Sequence, residues 1–240
     1  MIGQDFKDAN ILRRSKRMRI AVTGCVHGEL DTLYAELERR EEEEGKKVDL
    51  VICTGDFQVI CNQAIRDQAD LETLTCPRKY LKMGDFHKYY SGEKIAPVLT
   101  LFIGGNHEAI GFMSELARGG WAAENIYYIG RAGVLKFGEV RIGGISGIFN
   151  QRDYQKPLPT PPYCDYTLRS AYYYRESDLS RLLRLQRPVH IFLSHDWPQG
   201  IYHSGDTVSL ISKKRFLERE IRASTLGSPP LTQIMQALKP

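Results

Sequence analysis

The stretch PVLTLFIGGNHE, residues 97–108, carries the pattern on which the fold turns. Val98–Ile103 is an unbroken apolar and β-branched run, as expected of a strand buried on both faces. Gly104-Gly105 end it, and Asn106, His107 and Glu108 follow where the chain must turn. Working outward, Val48–Cys53 is a similar run that ends in Gly55-Asp56, and residues 18–24 (MRIAVTG) lead into Cys25-Val26-His27-Gly28. Further on, Val189–Leu193 leads into Ser194-His195-Asp196-Trp197. Each of these strands delivers ligand-type side chains at its C-terminal end, where open α/β sheets place their sites.

The intervening segments complete an α/β pattern. A helix is expected from about Glu29 to Glu44, with Leu30, Leu33 and Leu37 on one face and Gly45 as its stop. Residues 58–94 are mixed and polar with one helix, and another helix is expected near Glu108–Leu116. Asn125–Ile129, Ala132–Phe137 and Val140–Ile145 read as a meander split by Gly130 and Gly138. Residues 149–170 lack a period and contain Pro157, Pro159, Pro161 and Pro162, so a long functional loop is expected there. Helices from about Glu176 to Gln186, near Lys213–Ala223 and near Leu231–Leu238 close the chain. The fold class expected is α/β, a sandwich built on two sheets.

Composition excludes several alternatives. The chain has 240 residues, 26% of them charged and 42% hydrophobic, which suits a globular domain with a substantial core. No uncharged apolar run reaches the roughly 18 residues of a membrane span, so no membrane partner is expected. Residues 1–17 show no apolar signal region. They read as a disordered basic extension with five Lys/Arg against two Asp, which leaves 28 against 27 for residues 18–240. Bulk charge therefore gives no case for nucleic-acid binding, and a local patch would have to supply it. The tract Arg13–Arg17 fits a nuclear-import or RNA-contact signal less well than a solvated terminus. Five cysteines without C-x-x-C spacing exclude a disulfide framework or zinc finger and suit a reducing compartment.

The donor types at the strand ends share one purpose. Asp56 offers a carboxylate able to bridge two cations, Asn106 a neutral carbonyl oxygen, His27 and His195 imidazole nitrogens, and Cys25 a thiolate suited to softer metals. A lone histidine at a strand end is usually a satisfied structural residue. Four such ends in order, three of them flanked by glycine, point instead to a metal centre that acts on a phosphate.

The order of these motifs resembles that of the calcineurin-like metallophosphoesterases, and GGNHE at 104–108 is its most specific piece. Cys25 stands where most of that superfamily has Asp, and GDFQVICN replaces G-D-x-x-D-R-G, which argues against a protein phosphatase. With KYYSGEK, NIYYIG, VRIGGISGIF and IFLSHDWP, these departures resemble the family of RNA lariat debranching enzymes over residues 18–240. The resemblance implies hydrolysis of the 2′,5′-phosphodiester of branched intron RNA with one or two divalent metals, Fe2+, Zn2+ or Mn2+, in the nucleus and to some extent the cytoplasm. It implies Cys25, His27 and Asp56 as ligands of one metal, and Asp56, Asn106 and His195 as ligands of the other. His107 matches the residue that protonates the leaving hydroxyl, a role an imidazole suits.

The segment from about 149 to 175 matches that family's lariat-recognition insertion. Independently, residues 150–187 hold seven Lys/Arg against four Asp/Glu and six of the 13 tyrosines, a composition suited to phosphates and unstacked bases. Tyr89, Tyr154, Lys156, Tyr163, Tyr166 and Arg169 are the expected RNA contacts, while at least one of Tyr172–Tyr174 is expected to pack the core. His203 follows SHDWP closely enough to be a further candidate. The family's closing G-H-x-H motif does not occur in the 240 residues, and its histidines would add a ligand to each metal. The chain is accordingly expected to bind metal weakly and cleave little. The alternatives are a non-catalytic RNA-binding or splicing-associated form and a metallophosphoesterase acting on another nucleotide phosphodiester.

Overall fold

The computed structural model describes residues 17–61, 73–76 and 81–240. The expected basic extension lies outside these residues apart from Arg17, as do parts of the mixed region at 62–72 and 77–80.

Two sheets form the centre of the molecule. The first has strand order β1 (Ile20–Thr23), β2 (Leu50–Cys53), β3 (Thr100–Phe102), β5 (Ile126–Tyr128) and β4 (Gly120–Ala123). Its first four members run parallel and β4 is an antiparallel edge. The second sheet has order β6 (Ala132–Phe137), β7 (Val140–Ile145) and β8 (Ile191–Ser194), with β6–β7 antiparallel and β7–β8 parallel.

Strand alternation explains why the core runs read as continuously apolar. In β2, Val51 and Cys53 face one core with Tyr34, Leu37 and Phe86, while Leu50 and Ile52 face a second core shared with Ile142 and Leu193 of the other sheet. β3 repeats the division, Phe102 on the helical side and Leu101 between the sheets, with Ile103 just past its end joining Leu101. The helical side is covered by α1 (Leu30–Glu44), α2 (Phe86–Tyr90) and α3 (Ile110–Glu115). A third cluster on the far face of the second sheet packs Ala132 and Ile145 under α5 (Glu176–Leu183) and α8 (Pro229–Leu238). The layers are thus α/β/β/α, and all the parallel connections leave strand C-termini at one rim. α1 ends as expected at Gly45, whose φ of +59° is left-handed.

Three expectations need correcting. Residues 126–128 do not join a meander: β5 pairs in parallel with β3, and Gly130 (φ +94°) turns the chain from one sheet into the other. The long loop contains α4 (Asp165–Tyr172). The helix expected near Lys213–Ala223 is divided into α6 (Thr207–Lys213), a 3-10 turn at Arg215–Leu217 and α7 (Glu218–Arg222). No helix among the described residues is long and apolar enough to cross a membrane.

Candidate metal centre

The loops after β1, β2, β3 and β8 meet at one rim, and backbone hydrogen bonds lock them together. The N–H groups of Val26 and His27 both donate to the Asp56 carbonyl, at 3.2 and 2.7 Å, and Gly28 N–H donates to Phe57 O at 3.1 Å. His27, Asp56 and Gln58 all have positive φ, +50°, +47° and +62°. A non-glycine residue in this region costs on the order of 1–3 kcal/mol, so three in one loop pair mark a site that its surroundings over-determine. Two glycines make room for it. A Cβ on Gly55 would stand 2.2 Å from His195 Nδ1, and one on Gly105 would stand 2.1 Å from Asp56 Oδ1.

Asp56, almost fully buried, lies at the middle. Its Oδ1 accepts the His107 backbone N–H at 2.8 Å and lies 3.5 Å from His195 Nε2. Its Oδ2 lies 3.2 Å from His107 Nδ1 and 3.8 Å from His27 Nε2. Two donor sets share it: Cys25, Asp56 and His195, and His27, Asp56 and His107, the donor atoms within each set lying within 4.8 Å of one another. Distance thus groups Cys25 with His195 and His27 with His107, whereas the resemblance placed Cys25 with His27. Burial alone would raise the Asp56 carboxyl, but hydrogen bonds and charge from His107 and His195 outweigh it and hold the pKa below its usual value.

The donor set fits a cation. His195 Nδ1 faces the Thr54 carbonyl at 3.0 Å, so it carries the proton and donates. Its Nε2 faces Asn106 Oδ1 at 3.2 Å and Asp56 Oδ1 at 3.5 Å. Two oxygens facing that nitrogen call for positive charge among them, a proton on Nε2 or a metal ion, and the backbone contact that fixes the ring is the usual outer support of a metal histidine. The thiol of the exposed Cys25 is pushed up by partial burial and by Asp56, the shift a divalent cation would reverse.

Sequence reasoning missed three supporting groups. The Glu108 carboxylate, 1% exposed, accepts the N–H groups of Phe57, Gln58 and Gly105 and so ties the Asp56 loop to the GGNHE loop. Burial and the nearby Asp56 charge push its pKa up to about 8. Thr75 Oγ donates to the Asn106 carbonyl at 2.6 Å and accepts Glu108 N–H at 3.2 Å. Gln58 Nε2 donates to His27 Nδ1 at 3.0 Å. Gln58 follows Asp56 by two residues, whereas nothing near Thr75 signals its role.

The insertion behaves differently from its composition. Tyr89 needs correction as an RNA contact: it is buried, and its hydroxyl donates to Asp31 at 2.8 Å. Tyr154 also serves the core, edge-on to Phe149 at 5.5 Å. Tyr174 is fully buried and bonded to Ser228, as expected of one tyrosine in that run. Tyr163 is half-buried, its hydroxyl 3.1 Å from Ser114 Oγ. Tyr166 is 57% exposed and Lys156 and Arg169 are exposed, although Lys156 binds Asp153 at 2.7 Å and the Tyr166 hydroxyl at 2.8 Å. The His203 ring lies tilted against Tyr202, with centroids 4.3 Å apart, and belongs to neither donor set.

Comparison with known proteins agrees with this geometry. Residues 18–220 match the family model described as calcineurin-like phosphoesterase. Over 224 residues, 93% of the chain, it is 51% identical to the lariat debranching enzyme of Homo sapiens and 50% identical to those of Danio rerio and Arabidopsis thaliana. The chain spans 40%, 39% and 52% of those three proteins, about half of their length or less.

Proposed function

The chain belongs to the calcineurin-like phosphoesterase family, and from that premise we propose that it hydrolyses the 2′,5′-phosphodiester of branched intron RNA in the nucleus. The observation that carries the reading is Asp56, shared by two donor sets on the rim where four loops converge. The identity to lariat debranching enzymes supports the substrate.

Cys25, His27, Asp56, Asn106 and His195 would hold one or two divalent cations, with Fe2+, Zn2+ and Mn2+ the metals suited to this mixed donor set. Such cations supply Lewis-acid charge for the phosphate and a water acidic enough to attack at neutral pH. The protein's own part is positioning and proton transfer. Thr54, Gln58 and Thr75 fix the rings and the Asn106 loop before substrate arrives. His107 falls within the second donor set by distance, but its Nδ1 is hydrogen-bonded to Asp56, so it is assigned to proton transfer and not to the metal, and Nε2 is the atom left to protonate the departing 2′ oxygen. Hydrogen bonding to Asp56 raises the His107 pKa, which keeps a proton available.

The test is cleavage of a synthetic branched RNA beside a linear 3′,5′-linked RNA of the same bases, with each divalent metal supplied in turn. Release of the branch with the linear RNA intact is expected. His107→Gln should keep metal and RNA affinity but lose turnover, each tenfold loss being about 1.4 kcal/mol of barrier. Equal cleavage of both RNAs, or loss of metal from His107→Gln, would contradict the reading.

A further inference from the structure

After His195 the chain leaves the core and comes back to it at α8. Gln199 N–H donates to Ser228 O at 3.1 Å, Gly200 N–H to Leu226 O at 3.3 Å and Ser228 N–H to Trp197 O at 2.8 Å, so residues 201–226 form an arm pinned at its root. Trp197 follows His195 by two residues, which roots the arm on the loop that carries a metal donor. α6, the 3-10 turn at Arg215–Leu217 and α7 make up its body. Of residues 201–222 only Tyr202 and Ile221 are buried, and the Tyr202 hydroxyl donates to Ile221 O at 3.4 Å.

The outer surface of the arm carries charge that the protein leaves unused. Residues 207–222 hold five Lys/Arg against two Glu, whereas residues 18–240 carry 28 against 27. Arg222 is paired with Glu218 at 2.7 Å. Lys213, Lys214, Arg215 and Arg219 are exposed and pair with no carboxylate among the described residues. In the insertion, by contrast, Lys156 and Arg175 are spent on internal partners. Phe216, next to Arg215, is 77% exposed. One exposed apolar side chain is ordinary on a protein surface. This one lines an open groove with Arg215, Glu218, Arg219, Arg222 and Ala223. A ring among unneutralised cations suits single-stranded nucleic acid, whose phosphates meet the cations while a base stacks on the ring. An acidic protein segment would satisfy the cations equally. A docked amphipathic helix, however, needs an apolar stripe to bury against, and Phe216 and Ala223 are the only apolar residues of the groove.

We propose that the arm is a second RNA-contact surface, on which Phe216, Lys213, Lys214, Arg215 and Arg219 hold a single-stranded stretch of RNA running away from the branch point. The proposal rests on branched RNA being the substrate. It divides the work between two places: the metal centre engages the branch phosphate, and the arm adds sequence-independent affinity for the strand that continues from it.

The test uses the full chain and branched RNAs whose branch linkage is a non-hydrolysable methylenephosphonate, with Kd read by fluorescence anisotropy. One RNA has short arms only. In the others a single arm is extended by about ten uridines, within the site size of a single-strand-binding surface. Wild type should bind at least one extended RNA about tenfold or more tightly than the short one. Phe216→Ala should lose most of that advantage, as expected when a stacked base loses its platform. The joint replacement of Lys213, Lys214, Arg215 and Arg219 by Gln should lose it too, and should lower the slope of log Kd against log salt on the extended RNA by about 2–3, at about 0.7 for each phosphate contact removed. Both variants should bind the short RNA as wild type does. An advantage of length that survives in both variants would overturn the proposal, and so would equal weakening of short and extended RNA, which would assign these residues to the fold. Competition by a polyglutamate peptide as strong as that by oligouridine would give the groove to an acidic protein and overturn it as well. Equal binding of short branched and short linear RNA by the wild type would instead overturn the substrate reading. The two failures are distinct, because the arm is read from length and the substrate from the branch.

Discussion

The metal centre and the insertion over residues 149–175 are both dense in polar and charged groups, and they use them in opposite ways. At the centre, polar atoms are arranged against one another: the oxygens of Asn106 and Asp56 face His195 Nε2 at 3.2 and 3.5 Å. In the insertion, charge is consumed internally. Arg175, 2% exposed, donates to the carbonyls of Lys156, Tyr173 and Ser170 and to Ser170 Oγ, and Asp153 receives Lys156 and Tyr166. Unresolved polarity marks a ligand site, whereas resolved polarity marks a scaffold. A count of arginines and tyrosines does not distinguish the two.

The contrast can be broken most forcefully at Arg175. If it is scaffold, Arg175→Ala removes its buried hydrogen bonds to Lys156 O, Tyr173 O and Ser170 and should lower stability by about 2–3 kcal/mol, the range for hydrogen bonds to a charged group. Urea unfolding with a constant m-value would show this. A variant as stable as wild type that only loses RNA affinity would make Arg175 an RNA contact and not a scaffold residue. Gly105→Ala tests the other region. Its new methyl collides with Asp56, so metal affinity should fall about 10–100-fold while far-ultraviolet circular dichroism stays unchanged. Wild-type metal affinity would mean that the Asp56 position is not fixed by that glycine.

Asp153 gives the smallest of these effects and adds a pH signature. Burial opposes its ionisation, but hydrogen bonds from Lys156, Tyr166 and Ser170 win, and its folded pKa lies below the usual 3.8. A depressed carboxylate contributes stability above its unfolded pKa and loses it as pH falls toward the folded value. Asp153→Asn should therefore cost about 1.5 kcal/mol at pH 7, and the cost should shrink below about pH 4. A cost that does not depend on pH would assign the effect to packing instead.

The same contrast explains what was legible in the sequence. The centre was readable because each donor follows closely on a short apolar strand of a central sheet, so a local pattern reports a tertiary position. Cys25, Asp56, Asn106 and His195 all meet this condition. Thr75 does not: its partners are 31 and 33 residues away, and only folding connects them. The edge strand Gly120–Ala123 escaped because it is four residues long, begins with glycine and exposes Trp121. Helix α4 escaped because it begins three residues after the prolines end and spans only Asp165–Tyr172. The parallel pairing of β5 escaped because a glycine between two strands reads alike whether the chain stays in one sheet or crosses to another.

The most direct single measurement is the metal content of Asp56→Asn beside wild type and Cys25→Ser, by elemental analysis after reconstitution with Mn2+, Zn2+ or Fe2+ and removal of free ion. Because Asp56 belongs to both donor sets, its loss should empty the whole centre, while Cys25→Ser should weaken only the set that contains His195. Asp56→Asn that retains the wild-type metal content would contradict a centre organised on that carboxylate.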